Sequence, residues 1–220
     1  NVPVTAVISR INYGPQEKVT VTFGDGSQKQ ISSQEIEEYV SESGNPANEK
    51  DVLLVDIELP VLENLPTIRL VDTPGIGSVW KHNTETTTSW FPETGAVMFV
   101  ISAEKPISEN ELNLLQEIYQ YSPEIIIVLS KADLFAEDHL QQMEQFTTEV
   151  LYKHFNKRFP LVRHSSFEAT SAYNQVIVEK VLLPLATNRD AIFNDILQYK
   201  MNSLVNSCLS YLEIAYQASR

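Results

Sequence analysis

Two unbroken apolar runs, GAVMFVIS (Gly95–Ser102) and EIIIVLS (Glu124–Ser130), restrict the fold of this chain more than any other feature. Neither alternates apolar with polar residues, so each reads as a strand buried on both faces, as in a parallel sheet covered by helices. Helix-period segments follow each run. Ser108 with Glu111 is a capping-box start for a helix through about Tyr121, and Glu137–Phe155 carries apolar residues at helical spacing. Upstream, KVTVTF closes on Gly24-Asp25-Gly26, a hairpin signal, and Ser32 with Glu35 opens a short helix. VLLVDIEL (Val52–Leu59) and Thr67–Val71 read as further strands. Ser166–Ala172 reads as a strand, and Asn174–Ala186 as a helix broken near Pro184. Strands alternating with helices predict an α/β fold, its sheet mostly parallel with helices on both faces.

The tail has a different pattern. Ile192, Ile196, Leu204, Val205, Cys208, Leu209, Leu212 and Ala215 form one helical stripe. About 30 residues at ~1.5 Å each span ~45 Å, too long to lie wholly across a small domain. The helix is expected to project and to pack against helices absent from this chain. The expected division is therefore 1–187 for the main domain and 188–220 for the start of a helical neck. Cys208, the single cysteine, is expected to be a small core residue, and it cannot form an internal disulfide. A formal charge of −13 and a pI near 4.7 argue against nucleic acid or an anionic membrane surface as a direct partner. No apolar run approaches the ~18 residues that cross a bilayer, and no signal peptide opens the chain. These features point to the cytoplasm.

Three expected strands end in polar residues: IRLV runs into Asp72-Thr-Pro-Gly75, IIIVL into Ser130-Lys-Ala-Asp133, and SFEAT into Ser171-Ala172. Ligands bind open parallel sheets beyond the carboxyl ends of the strands. The chemistry of the three together fits a guanine nucleotide. Asp133 can accept from guanine N1–H and its exocyclic amine at once, a pairing adenine cannot offer. The Lys131 stem can cover the base, and the Ala172 N–H, beside Ser171, can donate to O6. Asp72 can hold a magnesium-bound water, and the Gly75 N–H can meet the γ-phosphate.

With DTPG, SKAD and TSA in this order, the sequence resembles the TRAFAC GTPases. More narrowly it resembles the dynamin superfamily, and within it the bacterial dynamin-like proteins, over most of Val2–Ala186. VPVTAVISRINYG, the insertion before DTPG and SAEKPISENELNLLQEI all carry that resemblance. It implies a P-loop-NTPase-like domain of the dynamin type, with Mg2+ as cofactor. It also implies that Thr5 matches the switch threonine that binds magnesium and orients the attacking water. Ile76 follows DTPG, where Ras-type sites have glutamine; dynamin-type enzymes also lack that glutamine. The implied parent hydrolyses GTP, self-associates across the nucleotide face and acts on membranes through regions outside this chain. Trp80 and Trp90 are candidates either for the domain's own surface or for that dimer face.

Nowhere does the chain contain Gly-Lys-Ser or Gly-Lys-Thr, the end of the phosphate loop. The expectation is that Asn1 is a truncation point, that the first strand and phosphate loop are missing, and that these 220 residues alone are inactive. Two other readings stay open: a catalytically silent interaction module, and a TRAFAC GTPase with no membrane role.

Overall fold

The computed structural model describes residues 7–73, 94–167 and 171–218. The chain divides into two units, Asn1–Phe91 and Pro92–Arg220. The expected boundary at 187/188 is a division of another kind, and it stands as a proposal.

The first unit is built on a five-stranded sheet in the order β3-β2-β4-β1-β5. Its strands are β1 (Ser9–Tyr13), β2 (Lys18–Phe23), β3 (Gln28–Ile31), β4 (Val52–Leu59) and β5 (Arg69–Asp72). β1 and β4 run parallel, and the other three ladders are antiparallel. The hairpin from β2 to β3 turns as expected, with the Gly26 N–H donating to the Phe23 carbonyl at 2.9 Å. Gly26 takes φ +82°, a left-handed conformation that suits glycine. Alternation in KVTVTF sends Val19 and Val21 into a core shared with Val7, Ile31, Tyr39, Val52 and Val55. The Ser32 start also forms: its N–H and hydroxyl both donate to the Glu35 carboxylate, ahead of helix α1 (Glu37–Val40).

The second unit holds a wholly parallel sheet in the order β6-β7-β8: β6 (Ala96–Ser102), β7 (Glu124–Ser130) and β8 (Leu161–Arg163). Helices α2 (Glu109–Tyr119) and α3 (Glu137–Phe155) make the crossovers. The α2 capping box is complete, Glu111 accepting from the Ser108 N–H at 2.7 Å while its own N–H donates to the Ser108 hydroxyl.

The expected strand Ser166–Ala172 is overturned at its described residues, 166–167 and 171–172; residues 168–170 lie outside the described residues. The segment that pairs beside β7 is Leu161–Arg163, and Ser171–Ile177 is helix α4. The pairing starts at Pro160, whose carbonyl accepts the Ile127 N–H, so the ladder is complete before Ser166 is reached. The expected break near Pro184 takes the form of a π-helical segment, Val178–Leu182, followed by α5 (Leu183–Thr187). Proline has no N–H to give the preceding turn, and its ring crowds the carbonyl four residues back, so the helix widens there.

The terminal helix α6 (Arg189–Ala218) is 30 residues long. Its first half is anchored: Ile196 is buried near Gly95, Lys200 donates to the Thr94 carbonyl, and the Tyr199 hydroxyl donates to the Tyr119 carbonyl. Beyond Ser203 its described residues are exposed, including Leu204, Leu209, Leu212 and Tyr216. Cys208 is exposed as well, contrary to expectation, because this half of the helix has no core beneath it. Among the described residues, no helix is long and apolar enough to cross a membrane.

Candidate functional site

In the second unit the site is built on the carboxyl ends of β6 and β7. The two strands lie in register, with Ser102 opposite Ser130. Ser130 closes the gap between them, its hydroxyl donating to the Ile101 carbonyl at 2.9 Å. The Ala103 N–H donates to the Ser130 carbonyl at 2.9 Å. The chain then turns sharply. Lys131 has φ 59° and ψ 31°, the left-handed region, and Ala132–Leu134 form a 3₁₀ turn. A left-handed lysine is strained by about 1–2 kcal/mol and persists only where neighbours fix it. The buried Ala132 supplies that constraint through its N–H, which donates to the His164 carbonyl at 3.1 Å. The His164 N–H in turn donates to the Leu129 carbonyl at 2.9 Å, so the chain leaving β8 braces the loop leaving β7.

Asp133 stands exposed on this turn and, among the described residues, has no hydrogen-bond or ion-pair partner. Lys131 is exposed too, its ammonium on the Glu104 carboxylate. The Ser102 hydroxyl also donates to Glu104, at 2.9 Å. The lysine bond, first, and the serine bond hold the Glu104 carboxyl below its usual range. Ser171 and Ala172 are the first two residues of α4, and Ala172 is exposed. An N–H in a helix's first turn has no acceptor within the helix.

A second brace lies beside the first. Arg163, the last residue of β8, bonds through Nε to Glu144 Oε1 at 2.6 Å and through Nη1 to Glu137 Oε2 at 2.6 Å, both on α3. Glu144 and then Glu137 push the guanidinium further up from a range in which it is always charged. The fork fixes the start of α3, just after the Asp133 turn, to the end of β8.

In the first unit, Asp72 ends β5 and is exposed, paired in register opposite Ser9 at the start of β1. Those strands are antiparallel, so the amino end of β1 and the carboxyl end of β5 share one edge of their sheet. Thr5, Gly75, Trp80 and Trp90 lie outside the described residues. Among the described residues, no group of three or more His, Cys, Asp or Glu could hold a metal.

Sequence reasoning did not single out Glu104, His164, or the Arg163, Glu137 and Glu144 brace. Glu104 meets Lys131 across 27 positions, and only the β6–β7 register brings them together. The sequence shows a serine closing each apolar run, Ser102 and Ser130, but not that the two strands pair in register.

Comparison with known proteins agrees with this architecture. The chain is 37% identical to an uncharacterized protein in the xynA 3' region of Caldicellulosiruptor sp. (strain Rt8B.4), over 81% of this chain and 45% of that one. It is 31% identical to the bacterial dynamin-like protein of Nostoc punctiforme, over 52% of this chain and 18% of that one. The chain thus spans less than half the length of these relatives. A solved structure of an oligomerised bacterial dynamin pair, described as a mechanism for long-range sensing and tethering of membranes, superposes with a TM-score of 0.61 at 16% identity. That match covers 100% of this chain and 39% of the other, and it establishes the fold. The family model described as Dynamin family matches residues 1–132. More than half of the sequence, and an α/β fold like that of a solved dynamin, lead to one assignment: the chain belongs to the dynamin family.

Proposed function

We propose that this chain forms the greater part of a GTP-binding and GTP-hydrolysing domain. The protein carrying it works from the cytoplasm in membrane remodelling and associates with itself across its nucleotide face. Asp133 is the observation that carries the nucleotide reading. It is an exposed carboxylate, unpaired among the described residues, on a braced turn at the carboxyl end of a buried parallel strand. One carboxylate at such a place suits guanine, which offers it two adjacent donors. Lys131 would cover the base, and the Ala172 N–H, beside Ser171 at the start of α4, would donate to O6.

Asp72, through water, and the Thr5 hydroxyl would hold Mg2+, with the Gly75 N–H on the γ-phosphate. Hard oxygen donors, few in number, suit an ion that keeps waters and takes phosphate oxygens. The shared edge at Ser9 and Asp72 supports the pairing of those two segments. When bound with nucleotide, such an ion would offset charge on the phosphates. This chain's residues would do the positioning, with no covalent step on the protein. The membrane and self-association readings draw on what is said of the relatives: a bacterial dynamin-like protein, and an oligomerised dynamin pair that tethers membranes.

Asp133→Asn tests the base assignment. In the native protein that carries this chain, the variant should lose GTP affinity and gain xanthosine nucleotides, whose C2 oxo group suits an amide donor. Unchanged GTP preference in a nucleotide competition would remove Asp133 from the site.

These 220 residues contain no Gly-Lys pair, the end of the phosphate loop. The backbone and lysine of that loop supply much of the hold on the β- and γ-phosphates. The 220-residue chain by itself should then bind GTP poorly and show no magnesium-dependent turnover. Measurable hydrolysis by it would refute this account of the missing loop.

A further inference from the structure

The nucleotide reading needs the Lys131 side chain laid along one face of a purine, yet lysine is the most flexible of cations, and an exposed one samples many rotamers. Its backbone is already fixed: φ is left-handed, the Lys131 carbonyl accepts the Leu134 N–H, and the Ala132 N–H is tied to His164. The far end is fixed as well. The ammonium meets the Glu104 carboxylate, and Glu104 is itself preset by Ser102. The Ser102 hydroxyl donates to Glu104 Oε2 at 2.9 Å, and the Glu104 N–H reaches back to the same hydroxyl at 3.3 Å. Ser102 cannot drift, because it closes β6 in register with Ser130. The Ala103 carbonyl, between Ser102 and Glu104, lies 3.1 Å from the His139 ring nitrogen of α3. The lysine is therefore held at both ends, and the stem between them stays exposed. Asp133, two residues on, keeps its carboxylate free of that ammonium.

We propose that Glu104 is a positioning residue for base recognition: it holds the Lys131 ammonium so that the lysine stem lies ready across the purine, without itself touching the nucleotide. The proposal rests on the nucleotide reading given above. Pre-ordering a side chain before binding lowers the entropy lost on binding, and it shows as affinity. A carboxylate on the ammonium also leaves Asp133 to the base alone.

The test is a double-mutant cycle in the native protein that carries this chain, read by titration of a fluorescent GDP analogue and by competition with ADP. Glu104→Gln keeps the length and loses the charge. It should weaken GDP analogue binding about threefold, the range of an exposed ion pair. In a Lys131→Met background the same change should be silent, an outcome that a general loss of stability would not produce. The gap between wild type and Glu104→Gln should also close as salt rises, because exposed pairs are screened. If wild-type protein does not prefer GDP over ADP, the nucleotide reading falls and takes this proposal with it. If wild type prefers GDP, Lys131→Met weakens it and Glu104→Gln does not, Glu104 has no positioning role and the nucleotide reading stands. Equal losses from Glu104→Gln with and without the Lys131 side chain would likewise overturn the coupling.

Discussion

β6 and β7 are neighbours of seven residues each, matched in register from end to end, apolar through their interiors and each closed by a serine. Their burial differs. Ile125–Leu129 of β7 are all buried, whereas β6 buries Phe99 and Ile101 and leaves Val100 between them 60% exposed. Val128, the register partner of Val100, is 2% exposed. β7 has a strand on either side, and β6, among the described residues, pairs with β7 alone. An apolar run thus reports the capacity to be buried. How much is buried depends on the neighbours that are present.

The largest test of this contrast is Val128→Ala. Two buried methyl groups and a cavity in a close-packed sheet should cost about 2 kcal/mol, measured by denaturant unfolding. A cost near zero would mean that β7 is not the packed centre of its unit. Next comes Ser122, 1% exposed, whose hydroxyl donates to the Gly95 carbonyl at 2.6 Å and to the Glu124 carbonyl at 3.3 Å. It joins the strands at their amino ends, as Ser130 does at the other. Ser122→Ala should cost about 1 kcal/mol, since it removes the hydrogen bonds of a buried hydroxyl to two partly covered carbonyls. An unchanged unfolding midpoint would show that the ladder alone aligns β6 on β7.

The link between the two strands titrates. Burial pushes the Glu111 carboxyl up, but the Ser108 hydroxyl and N–H, with Lys105, bring it net below its ordinary 4.5. A carboxylate lowered on folding stabilises the native state above its unfolded value, and that contribution is lost as pH falls through the folded value. Thermal stability should therefore drop below about pH 4.5, and Glu111→Gln should remove part of that drop at a cost of no more than about 1 kcal/mol at pH 7. A variant with the same acid profile as wild type would rule the α2 cap out as a contributor. The smallest effect belongs to Val100→Ala, expected within about 0.5 kcal/mol of wild type. A loss approaching that of Val128→Ala would erase the contrast, because Val100 would then have to be covered in solution.

Much of the fold was legible because local rules set it. The bounds of β7 and α3 match the apolar run and the helical period residue for residue. Both capping boxes formed where Ser and Glu stand three apart. The misread strand at Ser166–Ala172 had no such local cue against it. A three-residue edge strand such as Leu161–Arg163 is defined by the ladder it joins, and Ser-Ala sequences suit a helix start as well as a strand end. In the candidate site, Lys131 and Asp133 could be found from their place after a buried strand. Glu104, His164 and the Arg163 fork could not, since each acts on a residue distant in sequence.

By itself, then, the sequence determined which segments are strands or helices wherever period and caps agree, and which polar residues end the apolar runs. It also determined the dynamin-type order of those motifs, because that order is covalent. Only the tertiary structure decided which apolar residues are buried, that Cys208 lies in water, and that a lysine beside Asp133 is held by a glutamate 27 positions away. Burial and ion pairing are properties of what surrounds a residue. For β6, β7 and their loops, those surroundings are assembled by parallel ladders whose register no single segment encodes.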